Sequence, residues 1–167
     1  MRKKVIIIGG GFAGVSAAKT FKGKSFDVLI LDKNNHHIFQ PLLYQVASAA
    51  LSPGDIAVPI REIVSKSKNI KVYMEEVLSI DKTSKLVNCK SGEVYPYDYL
   101  IVAPGSTPFY FGHNKWPEFA VGLKSLDDAV KIRNKILETF EKYEVHGNSS
   151  LNFVIIGGGP TGVELAG

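Results

Sequence analysis

Val5-Ile6-Ile7-Ile8-Gly9-Gly10-Gly11-Phe12-Ala13-Gly14 is the stretch that decides the fold. Four consecutive β-branched residues form a short, unbroken apolar run, the pattern of a strand buried on both faces of a parallel sheet. Glycines follow at once, and Phe12 to Phe21 reads as a helix that begins inside the motif. A second apolar run, Val28-Leu29-Ile30-Leu31, ends in Asp32. That acid falls about 20 residues beyond Gly11, the offset of a dinucleotide-binding βαβ unit. The G-x-G-x-x-G spacing alone carries little weight in a chain with 16 glycines. Strand, glycines, helix, second strand and acid, all in register, carry far more.

Each position has a physical task. Gly9 allows a tight strand-to-helix turn where a Cβ would clash, Gly11 lets the backbone approach a pyrophosphate, and Gly14 lets the helix pack on the sheet. The N–H groups of Gly10, Gly11, Phe12 and Ala13 surround a helix start, where the partial positive charge favours a diphosphate. Asp32 can accept hydrogen bonds from both hydroxyls of an adenosine ribose. Its charge would repel a 2′-phosphate, so FAD or NAD is favoured over NADP.

A second fingerprint reads Phe153-Val154-Ile155-Ile156-Gly157-Gly158-Gly159-Pro160-Thr161-Gly162 and continues to Glu164 and Gly167. Leu151 to Ile156 is expected to be its strand and Gly157, Gly159 and Gly162 its glycines. Between the fingerprints, Pro41 opens a helix expected to run to Ala50, and Ile70 to Tyr73 reads as a strand. From Val77 to Val102 short apolar runs alternate with polar turns, an antiparallel meander whose last run, Leu100 to Ala103, is expected to be buried. Prolines 104, 108 and 117 mark a loop. Ser125-Leu126-Asp127-Asp128 then resembles a capped helix start. Apolar residues from Leu126 to Tyr143 recur at three- and four-residue steps.

Composition narrows the classes. The chain has 167 residues, 45% of them hydrophobic, and a net charge of +4. Its basic residues are dispersed in sequence, which argues against a nucleic-acid partner. Cys89 is the only cysteine, so an internal disulfide, a cysteine zinc cluster and a C-x-x-C redox pair are all excluded. No metal-ligand set has suitable spacing. No apolar run approaches the ~20 residues of a membrane span. With no signal peptide at the N-terminus either, the expectation is a cytoplasmic protein.

The order of these features (fingerprint, acid, meander, strand ending Ala103-Pro104-Gly105-Ser106, second fingerprint) resembles the two-dinucleotide-binding flavoprotein superfamily. Residues 32–47, Asp32-Lys33-Asn34-Asn35-His36-His37 through Tyr44-Gln45-Val46-Ala47, together with residues 157–167, are similar to type II NADH dehydrogenases. Those are single-chain flavoenzymes that reduce membrane quinone. The resemblance implies an α/β fold: a Rossmann-like FAD domain over residues 1–112, then the start of a second Rossmann-like, NADH-binding domain over residues 113–167. It further implies that Gly9 to Ala13 line the FAD pyrophosphate and that Asp32 binds its ribose. Lys33 and His37 would lie along the cofactor, Val77 at the adenine, and Ala103 to Gly105 near the flavin. Gly157, Gly159 and Gly162 would receive NADH, with Glu164 taking a part in the redox chemistry. A glutamate early in a helix is also what the dipole favours, so position alone leaves Glu164 open.

The departures are informative. Disulfide reductases of the superfamily carry a cysteine pair and sulfide-oxidising members several cysteines, against one here. Hydride transfer from NADH to flavin and on to a quinone or other acceptor is the reading that remains, and the resemblance implies quinone. Its rivals are a non-catalytic dinucleotide-binding module and a reductase passing electrons to a ferredoxin- or rubredoxin-type acceptor. The second fingerprint's helix has only about eight residues, below the ~12–15 of a marginally stable isolated helix. The expectation is therefore an N-terminal fragment, inactive alone. The full-length protein would lie on the inner face of the membrane through a later C-terminal region, and a homodimer is compatible with it.

Overall fold

The computed structural model describes residues 2–147 and 151–167. They fall into two compact units, residues 1–38 with 58–105, and residues 39–57 with 106–167. A division by packing need not coincide with one by ligand.

The first unit is built on a four-stranded parallel sheet of order β5-β2-β1-β9. Its strands are β1 (Lys3–Ile8), β2 (Phe26–Asp32), β5 (Ile70–Met74) and β9 (Tyr99–Val102). Short strands β3 (His36–Ile38) and β4 (Ala57–Pro59) and helix α4 (Ile60–Ile63) lie between β2 and β5 in the chain. The register sets Val5 beside Val28 and Ile7 beside Ile30 on one face. That face packs with Val15 and Ala18 of α1 (Phe12–Thr20) and with Ile60 and Val64. Side chains alternate along a strand, so Ile6, Ile8 and Leu31 point the other way. They pack under Val87 and Cys89 of a three-stranded antiparallel sheet. Its strands are β6 (Val77–Asp81), β7 (Leu86–Cys89) and β8 (Val94–Pro96). Helix, parallel sheet and meander thus form three layers, and the expected α/β class with a meander crossover is what the chain adopts.

Cys89 is buried in this second interface, and burial, ahead of the charges of Glu75 and Glu93, pushes its thiol up. It is a packing residue. β9 departs from expectation. It is an edge strand, with Tyr99 and Val102 more than half exposed, because among the described residues only β1 pairs with it.

In the second unit a 3-10 turn (Gln40–Leu42) leads into α2 (Leu43–Ala47), shorter than the helix expected to reach Ala50. Ala49 has a positive φ of 65°, which a right-handed helix cannot continue through. Ser52 and Asp55 form a capping box on α3 (Pro53–Ile56). After the short α5 (Trp116–Phe119), the expected long helix is α6 (Leu126–His146). Asp128 N–H donates to Ser125 Oγ at 3.1 Å, and Gly147 ends the helix at a positive φ of 66°. Buried Leu43, Val46 and Ala47 make α2 the partner of α6 and of α7 (Pro160–Ala166).

No strand forms over residues 151–156. A strand exists by its ladder, and no described strand pairs with this run, so Val154 and Ile156 stay largely exposed. Phe153 instead rests on Phe140 of α6, ring centres 5.8 Å apart.

Two predictions follow from the first unit. Ile7 is fully buried at its centre, so Ile7→Ala is expected to cost about 2–5 kcal/mol in urea unfolding. Asp98 ties the start of β1 to β9: Lys4 N–H donates to its Oδ2 at 2.7 Å and Lys3 Nζ to its Oδ1 at 3.1 Å. The Lys4 amide first, and Lys3 second, hold this carboxyl below the ordinary carboxylate range. A depressed folded pKa stabilises above the unfolded value and is lost as pH falls through the folded one. Asp98→Asn should therefore flatten the fall of the urea midpoint between about pH 5 and pH 3; parallel curves would contradict this.

Candidate functional site

The first fingerprint lies at the carboxyl end of the parallel sheet, where β2 departs to one side of β1 and β9 to the other. Ligands of open α/β sheets bind at such a switch point. Gly9 N–H donates to the Leu31 carbonyl, and Ala103 N–H to the Ile8 carbonyl, both at 2.8 Å. The turn is thereby pinned to both neighbouring strands.

Sterics explain the glycines. Gly9 has a φ of +100°, and a Cβ there would strike the Ala103 carbonyl oxygen. A Cβ on Gly14 would strike the Gly9 carbonyl oxygen, so α1 leaves the strand at backbone contact distance. Gly11 differs: no atom lies within 4 Å of where its Cβ would stand. Its bare backbone faces open space, as a site for a bulky anion requires. Gly11 is also the N-cap of α1, and the first N–H groups of a helix have no partner within it. Ala13, in that first turn, is exposed. The cradle fits a dinucleotide pyrophosphate.

The acid is in place. Asp32 Oδ2 accepts from Gly10 N–H at 2.5 Å and Oδ1 from Asn34 N–H at 2.7 Å. Asp32 is half-buried and each oxygen keeps a further lone pair for a ribose hydroxyl. His37 Nδ1 meets the Gly10 carbonyl at 2.9 Å, and its ring stands edge-on to Phe12, centroids 5.0 Å apart. Gly9 to Gly14, Asp32, His37 and Ala103 are therefore brought together. Lys33 is exposed on the turn after Asp32. It adds a minor pull on Glu76, whose carboxyl is held low chiefly by Lys90. Val77 opens β6 and packs under the Leu31 face rather than within the glycine turn. Gly105 ends the unit at a φ of +77°.

Sequence reasoning missed two contacts. The Ile60 side chain occupies the space that a Cβ on Gly10 would need, and His37 bonds to a main-chain oxygen. Neither has a sequence signature. Each depends on how β3 and α4 fold back over the glycine turn.

In the second unit the other fingerprint has nearly the same local geometry. Gly157 has a φ of +107°, and a Cβ on Gly162 would strike the Gly157 carbonyl oxygen. N-cap Gly159 lies at φ −74° and ψ 171°, close to Gly11 at −75° and −166°. Around Gly157, however, nothing lies within 4 Å of the Cβ position that the Ala103 carbonyl blocks at Gly9. The dipole reading of Glu164 requires a correction. α7 starts at Pro160, so Glu164 is its fifth residue and no acid sits in the first turn. The dipole argument for it lapses, since that effect fades beyond one turn. Its side chain is exposed.

Among the described residues, no helix is long and apolar enough to cross a membrane, and no group of three or more His, Cys, Asp or Glu could hold a metal.

A parallel sheet with a glycine turn at its switch point and an acid closing β2 defines a dinucleotide-binding flavoprotein-type fold. The sequence pattern of the pyridine nucleotide-disulphide oxidoreductases matches residues 3–167, and the chain belongs to that family. Its likeness is to the type II NADH:quinone oxidoreductases, as residues 32–47 and 157–167 implied. NdhA of Mycobacterium tuberculosis, which bears that description, is 45% identical over 99% of this chain. The chain spans 37% of that relative's length. NDH2 of Plasmodium falciparum, solved in complex with NADH, superposes with a TM-score of 0.89 at 30% identity, covering 99% of this chain and 36% of its own. The NADH:rubredoxin oxidoreductase of Clostridium acetobutylicum gives 0.71 at 34% identity, covering 99% and 41%.

Gly14→Ala tests the steric reading of the turn. The added methyl meets main chain, which cannot rotate away, so a loss of at least about 1–3 kcal/mol in thermal unfolding is expected.

Proposed function

We propose that this chain holds FAD at Gly9 to Gly14 and forms part of an NADH:quinone oxidoreductase. The observation that carries this is the first fingerprint: an open Gly11 backbone at a helix start with the Asp32 carboxylate beside it. The 45% identity to a protein described as a type II NADH:quinone oxidoreductase supports the choice of reaction. The flavin supplies the two-electron exchange between NADH and quinone, which no side chain here provides.

The chain's own part is to bind and orient. The Gly11 turn grips the pyrophosphate, Asp32 accepts from the ribose hydroxyls, and Lys33 and His37 flank the cofactor. Val77 meets the adenine through its main chain, and Ala103 and Gly105 pass near the flavin. Gly157, Gly159 and Gly162 receive NADH, and Glu164 stands near the nicotinamide. Residues 1–112 then serve FAD and residues 113–167 begin the NADH domain. Attachment to the inner membrane face, through a region outside this chain, and homodimer formation belong to the same proposal.

A second reading, transfer to a rubredoxin-type acceptor, draws on the 34% identity to the clostridial enzyme. Steady-state rates with a quinone analogue and with rubredoxin separate the two. For the cofactor, Asp32→Asn is expected to weaken FAD binding about 10- to 100-fold by flavin fluorescence, the loss of charge-assisted hydrogen bonds. Unchanged affinity would remove the basis of the proposal.

A further inference from the structure

We infer that His37 is a positioning residue that aims the Gly11 amide at the dinucleotide, rather than a direct ligand of it. The inference rests on the reading above for the identity of that ligand, and on three contacts for its geometry.

Gly10 is held from both ends. Its N–H donates to Asp32 Oδ2 and its carbonyl lies 2.9 Å from His37 Nδ1. From below, the Ile60 side chain fills the space beside its Cα. Two adjacent glycines would otherwise leave this turn freer than any other residue pair could. The hold comes from residues 22 and 27 positions further along the chain.

The carbonyl can only accept, so Nδ1 must carry the proton. In the neutral imidazole Nε2 is then a bare lone pair, which cannot donate to a phosphate oxygen. In that form the contribution of His37 passes through Gly10. The Gly10–Gly11 peptide is planar and trans, so fixing its C=O on one side fixes the Gly11 N–H on the other. His37 thus sends that N–H away from itself, at the N-cap of α1, where the Cβ position of Gly11 is open. Phe12, set edge-on to the imidazole, keeps the ring from turning. The sequence places His37 merely in a polar loop; the fold makes it a brace.

Two amides distinguish this from direct contact, because the Asn amide nitrogen stands where Nδ1 does and the Gln amide nitrogen where Nε2 does. FAD affinity of the protein is measured by flavin fluorescence for wild type, His37→Asn, His37→Gln and His37→Leu. The expected result is that Asn stays within about threefold of wild type while Gln and Leu weaken binding about five- to tenfold. In the ligand-free protein, 15N NMR of the imidazole should show the proton on Nδ1, the tautomer that free neutral histidine disfavours. Tight binding by Gln with weak binding by Asn would assign direct contact through Nε2 and overturn the inference. Equal affinities in all four proteins, or a proton on Nε2, would also overturn it. Should the wild type bind no FAD, the proposed function fails, and the tautomer alone decides for or against the brace.

Discussion

The main chain at the end of β1 and the main chain at the start of α1 lie too close together for a side chain. Gly14 sits so near the Gly9 carbonyl that no side chain fits between them, and Gly9 sits equally near the Ala103 carbonyl. The end of β1 and the start of α1, neighbours in sequence, meet there with the distant Ala103, with only backbone between them. This contact sets the angle at which α1 leaves the sheet, and so brings Val15 and Ala18 onto Val5, Ile7 and Ile30. It also places Gly11, with nothing within 4 Å of its Cβ position, at the start of α1. Stability and binding rest on the same absence of side chains.

The two fingerprints separate what is local in this motif from what is not. Both have a first glycine near φ +100°, a last glycine against its carbonyl, and an N-cap glycine in nearly identical conformation. These features need only neighbouring residues and the absence of Cβ atoms. The strand before the glycines is different, because extended backbone must be hydrogen-bonded by another strand. β1 has β2 and β9; residues 151–156 have no strand partner among the described residues. The same apolar pattern thus yields a buried core strand in one unit and an exposed segment in the other.

Asp32 gains a second duty from the structure. Its carboxylate closes β2 and also secures the Gly10 and Asn34 amides before any ligand arrives. In the proposed role of Asp32 at a ribose, its charge would otherwise repel an approaching diphosphate. Bonding to two backbone donors offsets that charge and orders the turn. Binding then costs less conformational entropy, which is how preorganisation raises affinity.

What could be read from residues alone is what short-range rules govern. Strict apolar runs marked β1 and β2, the capped start at Ser125 with the apolar recurrence from Leu126 to Tyr143 marked α6, and polar turns spaced the meander. The fingerprint with its acid pointed to a dinucleotide site, and the resemblance of residues 32–47 and 157–167 pointed to the family. Tertiary structure decided the rest. Nothing in Leu43, Val46 and Ala47 says that their partners are α6 and α7, since an apolar face does not name the surface it meets. Val102 looks as buried as Val5 until strand order makes β9 an edge. His37 and Ile60 are ordinary in sequence and become supports of Gly10 only when β3 and α4 fold over the turn. Local sterics and hydrogen bonding write the motif into the chain; burial and pairing depend on distant partners, and only the folded chain supplies them.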